Sequence, residues 1–126
     1  MLVFATTAYA GTLGQGVVTD SDRLNVRSGP GTEYAIVSSL YFGNIVELND
    51  ENNGWYFIYY HGTSGWCSTN LIAPIEPIRR YGYINAPDSN MRSGPSSDTS
   101  LLGVFGNGER IYVSGHAAGW YRVQRN

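Results

Sequence analysis

Along this chain, polar and apolar residues alternate in short runs, and turn residues interrupt them roughly every 8–12 positions. In Leu24-Asn25-Val26-Arg27 the two apolar side chains fall on one face and Asn25 and Arg27 on the other, as in a strand. Val17-Val18 begins an earlier strand, and "AIVSSL", "IVEL", "WYFIYY" and "WCSTNLI" read as later ones. Between them "SGPG", "FGN", "NDENNG" and "HGTSG" carry the glycine, proline and asparagine that tight turns require. No run has a helical period. The pattern predicts an all-β fold, a small barrel or sandwich.

The pattern also repeats. "NVRSGPGTEY", Asn25 to Tyr34, returns as "NMRSGPSSDT", Asn90 to Thr99, 65 residues on from Arg27 to Arg92. The same spacing carries Gly43 onto Gly108 and Gly54-Trp55-Tyr56 onto Gly119-Trp120-Tyr121. An internal repeat overrides the one-domain expectation for a short chain. We read residues 16–72 and 81–126 as two units joined by 73–80, "APIEPIRR", whose Pro74 and Pro77 favour an extended spacer. A unit of this size buries only about 60% of its unfolded surface, so it is marginal but able to fold alone. The second unit has Ser89 in place of Leu24 and lacks counterparts of Gly65 to Ile72. It is therefore expected to be incomplete at its C-terminus, with more chain following Asn126.

"LNVRSGPGTEY", "LYFGNIVEL" and "NGWYFIYYHGTSGWCSTNLI" together resemble the bacterial SH3 domain family, modules of peptidoglycan hydrolases and other envelope proteins. The resemblance implies two small SH3-like β-barrels in tandem, the second incomplete. It further implies a non-catalytic module that targets a secreted hydrolase to the cell wall, outside the cell. The partner would be peptidoglycan or its stem or bridge peptides, with a catalytic domain after Asn126. The alternative is a structural or sensory module that binds another envelope protein.

Charge narrows the partners. Only 14% of the 126 residues are charged and the net charge is −2, so no basic stripe exists to hold nucleic acid or an anionic membrane. A single cysteine, Cys67, cannot form an internal disulfide, which fits a cytosolic protein or an envelope protein without bridges. "MLVFATTAYA", residues 1–10, is apolar and uncharged, with Ala8-Tyr9-Ala10 as a small-x-small cleavage site. We read it as the remnant of a secretory signal peptide. It is too short to span a bilayer, and no transmembrane segment is expected.

Catalytic residues are not expected. Cys67, flanked by Trp66 and Ser68, reads as a small buried hydrophobe, and His61 and His116 sit in turns of different repeats. Neither a metal site nor a cofactor site can be assembled from two histidines and one cysteine at these spacings. Asp20, Asp22, Asp50 and Glu51 read as solvated turn residues rather than paired carboxylates in a cleft. The aromatics are more informative. With Tyr56, Ile58 and Tyr60 facing the core, Trp55, Phe57 and Tyr59 share the outward face, and an exposed apolar patch marks a contact surface. These three form the expected floor of a ligand site, with Arg27, Glu33 and Tyr34 as its wall. Asn25, Gly29 and Pro30 in the first repeat, and Asn90, Arg92, Gly94, Pro95 and Trp120 in the second, are expected to be scaffold. Arg27 on Trp55, like Arg92 on Trp120, would stack a guanidinium on an indole.

Overall fold

In the computed structural model the described residues are 13–19 and 23–125, so the signal-peptide reading and the turn at Asp20 and Asp22 lie outside them. Strands account for 62% of the described residues, and there is no α-helix among them. The chain divides into two compact units, residues 1–74 and 75–126.

The first unit contains β1 (Gln15–Val18), β2 (Leu24–Arg27), β3 (Ile36–Leu40), β4 (Ile45–Asn52), β5 (Trp55–Tyr60) and β6 (Thr63–Ser68). Its strands lie in the order β1-β4-β5-β6-β2-β3, and every described pairing is antiparallel. Turns are shorter than the sequence suggests. Only Asn53 and Gly54 link β4 to β5, and only His61 and Gly62 link β5 to β6. All four residues have positive φ, the type I′ geometry that matches the right-handed twist of flanking strands. Asn49 to Asn52, expected in a loop, therefore extend β4, and Thr63 to Gly65 belong to β6.

Alternation places the core. Leu24 and Val26, Val46 and Leu48, Ile58 and Cys67 converge with Val18, Leu40 and Ile72, and Tyr56, Tyr60 and Leu71 pack against them. Glycine is required where backbones come closest. A Cβ on Gly65 would stand 2.8 Å from the carbonyl oxygen of Arg27, and one on Gly16 would stand 2.6 Å from Ile72 Cγ2. After β6, a 3-10 turn at Thr69–Leu71 leads into β7 (Ile72–Tyr83); the Ser68 hydroxyl accepts from the Asn70 amide at 3.4 Å.

The expected closed barrel is not formed. Pairing runs open from β1 to β3, and β2 meets β6 at the one register pair Arg27–Trp66. Bulges between Val26 and Arg27 and between Leu48 and Asp50 bend the strands there. Such extra residues sharpen the twist and leave the ladder interrupted.

In the second unit, the residues of β7 from Glu76 to Tyr83 pair with β10 (Arg110–Ala117), which pairs with β11 (Trp120–Arg125). The 73–80 segment, expected as a spacer, lies wholly within strand β7. β8 (Ser89–Arg92) and β9 (Leu101–Phe105) form a separate two-stranded sheet. Registers follow those of the first unit: Tyr112–Gln124 answers Glu47–Tyr59, and Ser89–Phe105 answers Leu24–Leu40. The larger Phe105, which is buried, stands opposite Ser89, where the first unit pairs Leu40 with Leu24. One detail departs from the 65-residue spacing. The Gly43 amide donates to the Val18 carbonyl, whereas the Gly108 amide donates to that of Ile84, so the first strand is displaced by one residue. His116, expected in a loop, lies within β10, because Ala118 and Gly119 make the whole turn.

Candidate functional site

The loop after β2 is built the same way in both units. The Ser28 amide donates to Ala35 O and the Gly31 amide to Gly29 O; Ser93 to Ser100 O and Ser96 to Gly94 O repeat the scheme. Arg27 Nη1 donates to Tyr34 O at 2.9 Å and Thr32 O at 3.1 Å, and Arg92 Nη1 donates to Thr99 O at 2.8 Å. Each guanidinium thus clamps the far side of its own loop. The expected stacks on Trp55 and Trp120 do not form: among the described residues the cation–π pairs are Arg110 over Tyr81 and Arg125 over Phe105. Carbonyls left over by an irregular loop need donors, and the arginines supply them. Gly29 is buried with the Tyr34 ring against it, and the Glu33 carboxylate lies against Gly31. Pro30 and Pro95 sit within these loops, while Asn25 pairs across to Ser39 and Asn90 to Val104.

Beside the first loop lies an aromatic face. Trp55, Phe57 and Tyr59 alternate with the core-packed Tyr56, Ile58 and Tyr60 along β5. Register aligns Arg27 of β2 with Trp66 of β6, Trp66 with Phe57, and Phe57 with Asp50 of β4. One row across four strands therefore joins a cation, two aromatic rings and a carboxylate. The Phe57 and Trp66 rings are 5.2 Å apart and tilted by 52°, a pairing worth about 0.5–1.5 kcal/mol beyond burial. Tyr59 is 42% exposed and Trp55 is half-buried. Trp66 was absent from the expected site, yet alternation exposes it: with Cys67 in the core, its neighbour must point outward. Glu33 and Tyr34 join this group only through Arg27, which holds their loop by its backbone.

In the second unit the positions of Phe57 and Tyr59 are Arg122 and Gln124. Trp120 is half-buried opposite Ala117, and Arg122 Nε donates to Ser114 Oγ at 3.0 Å.

Cys67 is buried, and loss of solvation pushes its thiol up to about 12, so little thiolate exists at neutral pH. Among the described residues no group of three histidine, cysteine or acidic side chains could hold a metal, and no helix is long and apolar enough to cross a membrane.

"Putative N-acetylmuramoyl-L-alanine amidase YrvJ" of Bacillus subtilis is 30% identical over 118 residues, 87% of this chain but 23% of that protein. "Serine/threonine-protein kinase D" of Synechocystis sp. is 34% identical over 55 residues, 38% of this chain and 11% of the kinase. The chain thus spans less than a quarter of either relative. The structure of NlpC2 from Trichomonas vaginalis aligns over 89% of this chain and 42% of its own, at 18% identity. The TM-score of that alignment is 0.41. The bacterial SH3 domain profile matches residues 22–73, which hold β2 to β6 and the aromatic face. Residues 22–73 of this chain thus match the bacterial SH3 domain family.

Proposed function

We infer that this protein is a non-catalytic module that binds the bacterial cell wall and holds a hydrolase there, outside the cell. The bacterial SH3 domain match over residues 22–73 and the amidase-named relative support the cell-wall reading. The observation that carries it is the aromatic face of Trp55, Phe57, Tyr59 and Trp66, turned away from a core that is already filled. Rigid rings give broad contact area with little side-chain entropy to lose, as binding to a repetitive polymer requires. The ligand is peptidoglycan or its stem or bridge peptides. Arg27 borders this floor, with Glu33 and Tyr34 on the loop it clamps. The second unit repeats the SH3-like plan with open sheet edges. Two weak sites on one chain would retain a catalytic domain through raised effective concentration.

A second reading follows from the kinase relative, which is 34% identical to this chain over 55 residues: a sensory module whose face takes another envelope protein. Co-sedimentation of the whole chain with purified peptidoglycan separates the two. We expect the protein in the pellet, and a Phe57→Ala, Tyr59→Ala double variant to stay folded while binding about 5- to 150-fold more weakly, as loss of two aromatic contacts implies. A folded double variant that still sediments fully would remove this face from the site. No sedimentation of the wild-type chain would favour the sensory reading.

A further inference from the structure

The second unit carries a different surface, made by β7, β10 and β11. Register sets Tyr83 opposite Arg110, and Tyr81 opposite Tyr112, which faces Gln124 in turn. Partners across an antiparallel ladder share a face, so these five side chains form one group. The Arg110 guanidinium lies 3.8 Å above the Tyr81 ring, and the Tyr81 and Tyr112 rings meet edge to face at 5.3 Å. Tyr81 is 51% exposed and Tyr83 69%. None of the five is acidic. The ion pair of Arg125 with Glu109 employs a different arginine. Arg92 and Arg122 are likewise bound, to Thr99 O and Ser114 Oγ.

Stacking leaves Arg110 ready rather than spent. A ring beneath a guanidinium satisfies its flat face and leaves the in-plane N–H groups pointing outward, where they match a carboxylate bidentately. The tyrosines beside it offer hydroxyl donors and apolar area. Composition agrees: residues 75–126 contain six arginines and four acidic residues, while residues 1–74 contain two arginines and six acidic residues. We propose that Arg110, Tyr81, Tyr83 and Tyr112 form a second binding site, which takes the free terminal carboxylate of a short peptide. The two units then read different chemistry, the first through aromatic area and the second through a charged terminus. This site stands on its own geometry and does not depend on the wall-binding role of the first unit.

The test is an NMR titration of the whole chain with N-acetyl-alanyl-alanine, with its C-terminal amide, and with acetate. The acid should shift the Arg110 Nε–H signal and the amides of residues 81–83 and 110–112, leaving Phe57 and Trp66 unmoved. The amide form, acetate, and the acid on Arg110→Gln should each bind about tenfold more weakly or worse, the loss of a charge-assisted pair. Arg110 is exposed on a strand, so the variant is expected to fold. Should it not, the acid–amide comparison on the unaltered chain still decides. Equal binding of acid and amide, unchanged binding by Arg110→Gln, or no response to the acid would each overturn the site. Acetate binding as well as the dipeptide would reduce it to simple ion pairing and overturn peptide recognition.

Discussion

Gly65→Ala tests whether the β2–β6 junction holds the first unit together. The new methyl would stand 2.8 Å from Arg27 O and 2.5 Å from Val26 Cγ1, with Val37 Cγ2 at 3.5 Å. Val26 can turn, but the carbonyl is backbone and moves only if β2 moves. Overpacking of this kind costs about 1–3 kcal/mol, and the backbone obstruction puts Gly65 toward the upper end. Replacing glycine also removes unfolded-state freedom, which offsets about 0.4–1 kcal/mol. The net loss is about 2 kcal/mol. A unit of some 60 residues has a total stability of only about 3–9 kcal/mol. At about 4–8 °C per kcal/mol the midpoint of the first unit should fall by roughly 8–16 °C. Thermal unfolding followed by hydrogen exchange resolves the units separately within the whole chain. Gly106→Ala is the control, since a Cβ there meets nothing within 4 Å and should change little. A Gly65→Ala midpoint within about 2 °C of the parent would refute the reasoning and show that β2 gives way freely.

Ala118 adopts φ 52°, where the matching turn of the first unit has Asn53 at φ 48°. Ala118→Asn should therefore stabilise the second unit by about 1 kcal/mol in thermal melts, since asparagine tolerates the left-handed region. Among the described residues the buried apolar side chains of the second unit are Phe105 and Ile111, against ten in the first, so its amides should exchange earlier. Equal protection in both would show that another segment or a second copy covers the free edge of β11. The Arg125 guanidinium beside Glu109, with the Gly106 amide, holds that carboxyl below the usual carboxylate range. The group is depressed, so its contribution is present above the unfolded value and is lost as pH falls through the folded one. Acid melts should show a small drop below the ordinary carboxylate pKa, absent in Glu109→Gln; an identical acid response in both would refute the linkage.

Strand identity was legible in the sequence because alternation forces it. Once Leu24, Val26 and Ile58 face a core, Arg27, Phe57 and Tyr59 have no choice but the other side. The repeat was legible too, since the same loop needs the same arginine, glycine and proline each time. Turn lengths were not, because Asn53-Gly54 and His61-Gly62 take up the reversal in two residues and return their polar neighbours to the strands. The Arg27 stack on Trp55 also failed. Alternation places a cation and an indole on one face, but the guanidinium donates instead to the loop carbonyls of Thr32 and Tyr34, which only the fold brings within its reach. Register was decided by tertiary structure alone. Trp66 meets Phe57 and Arg27 because β6 lies between β5 and β2, and Arg110 settles over Tyr81 because β7 pairs with β10. Sequence chooses which face a side chain takes; the pairing of distant strands chooses its neighbours, and those neighbours make the site.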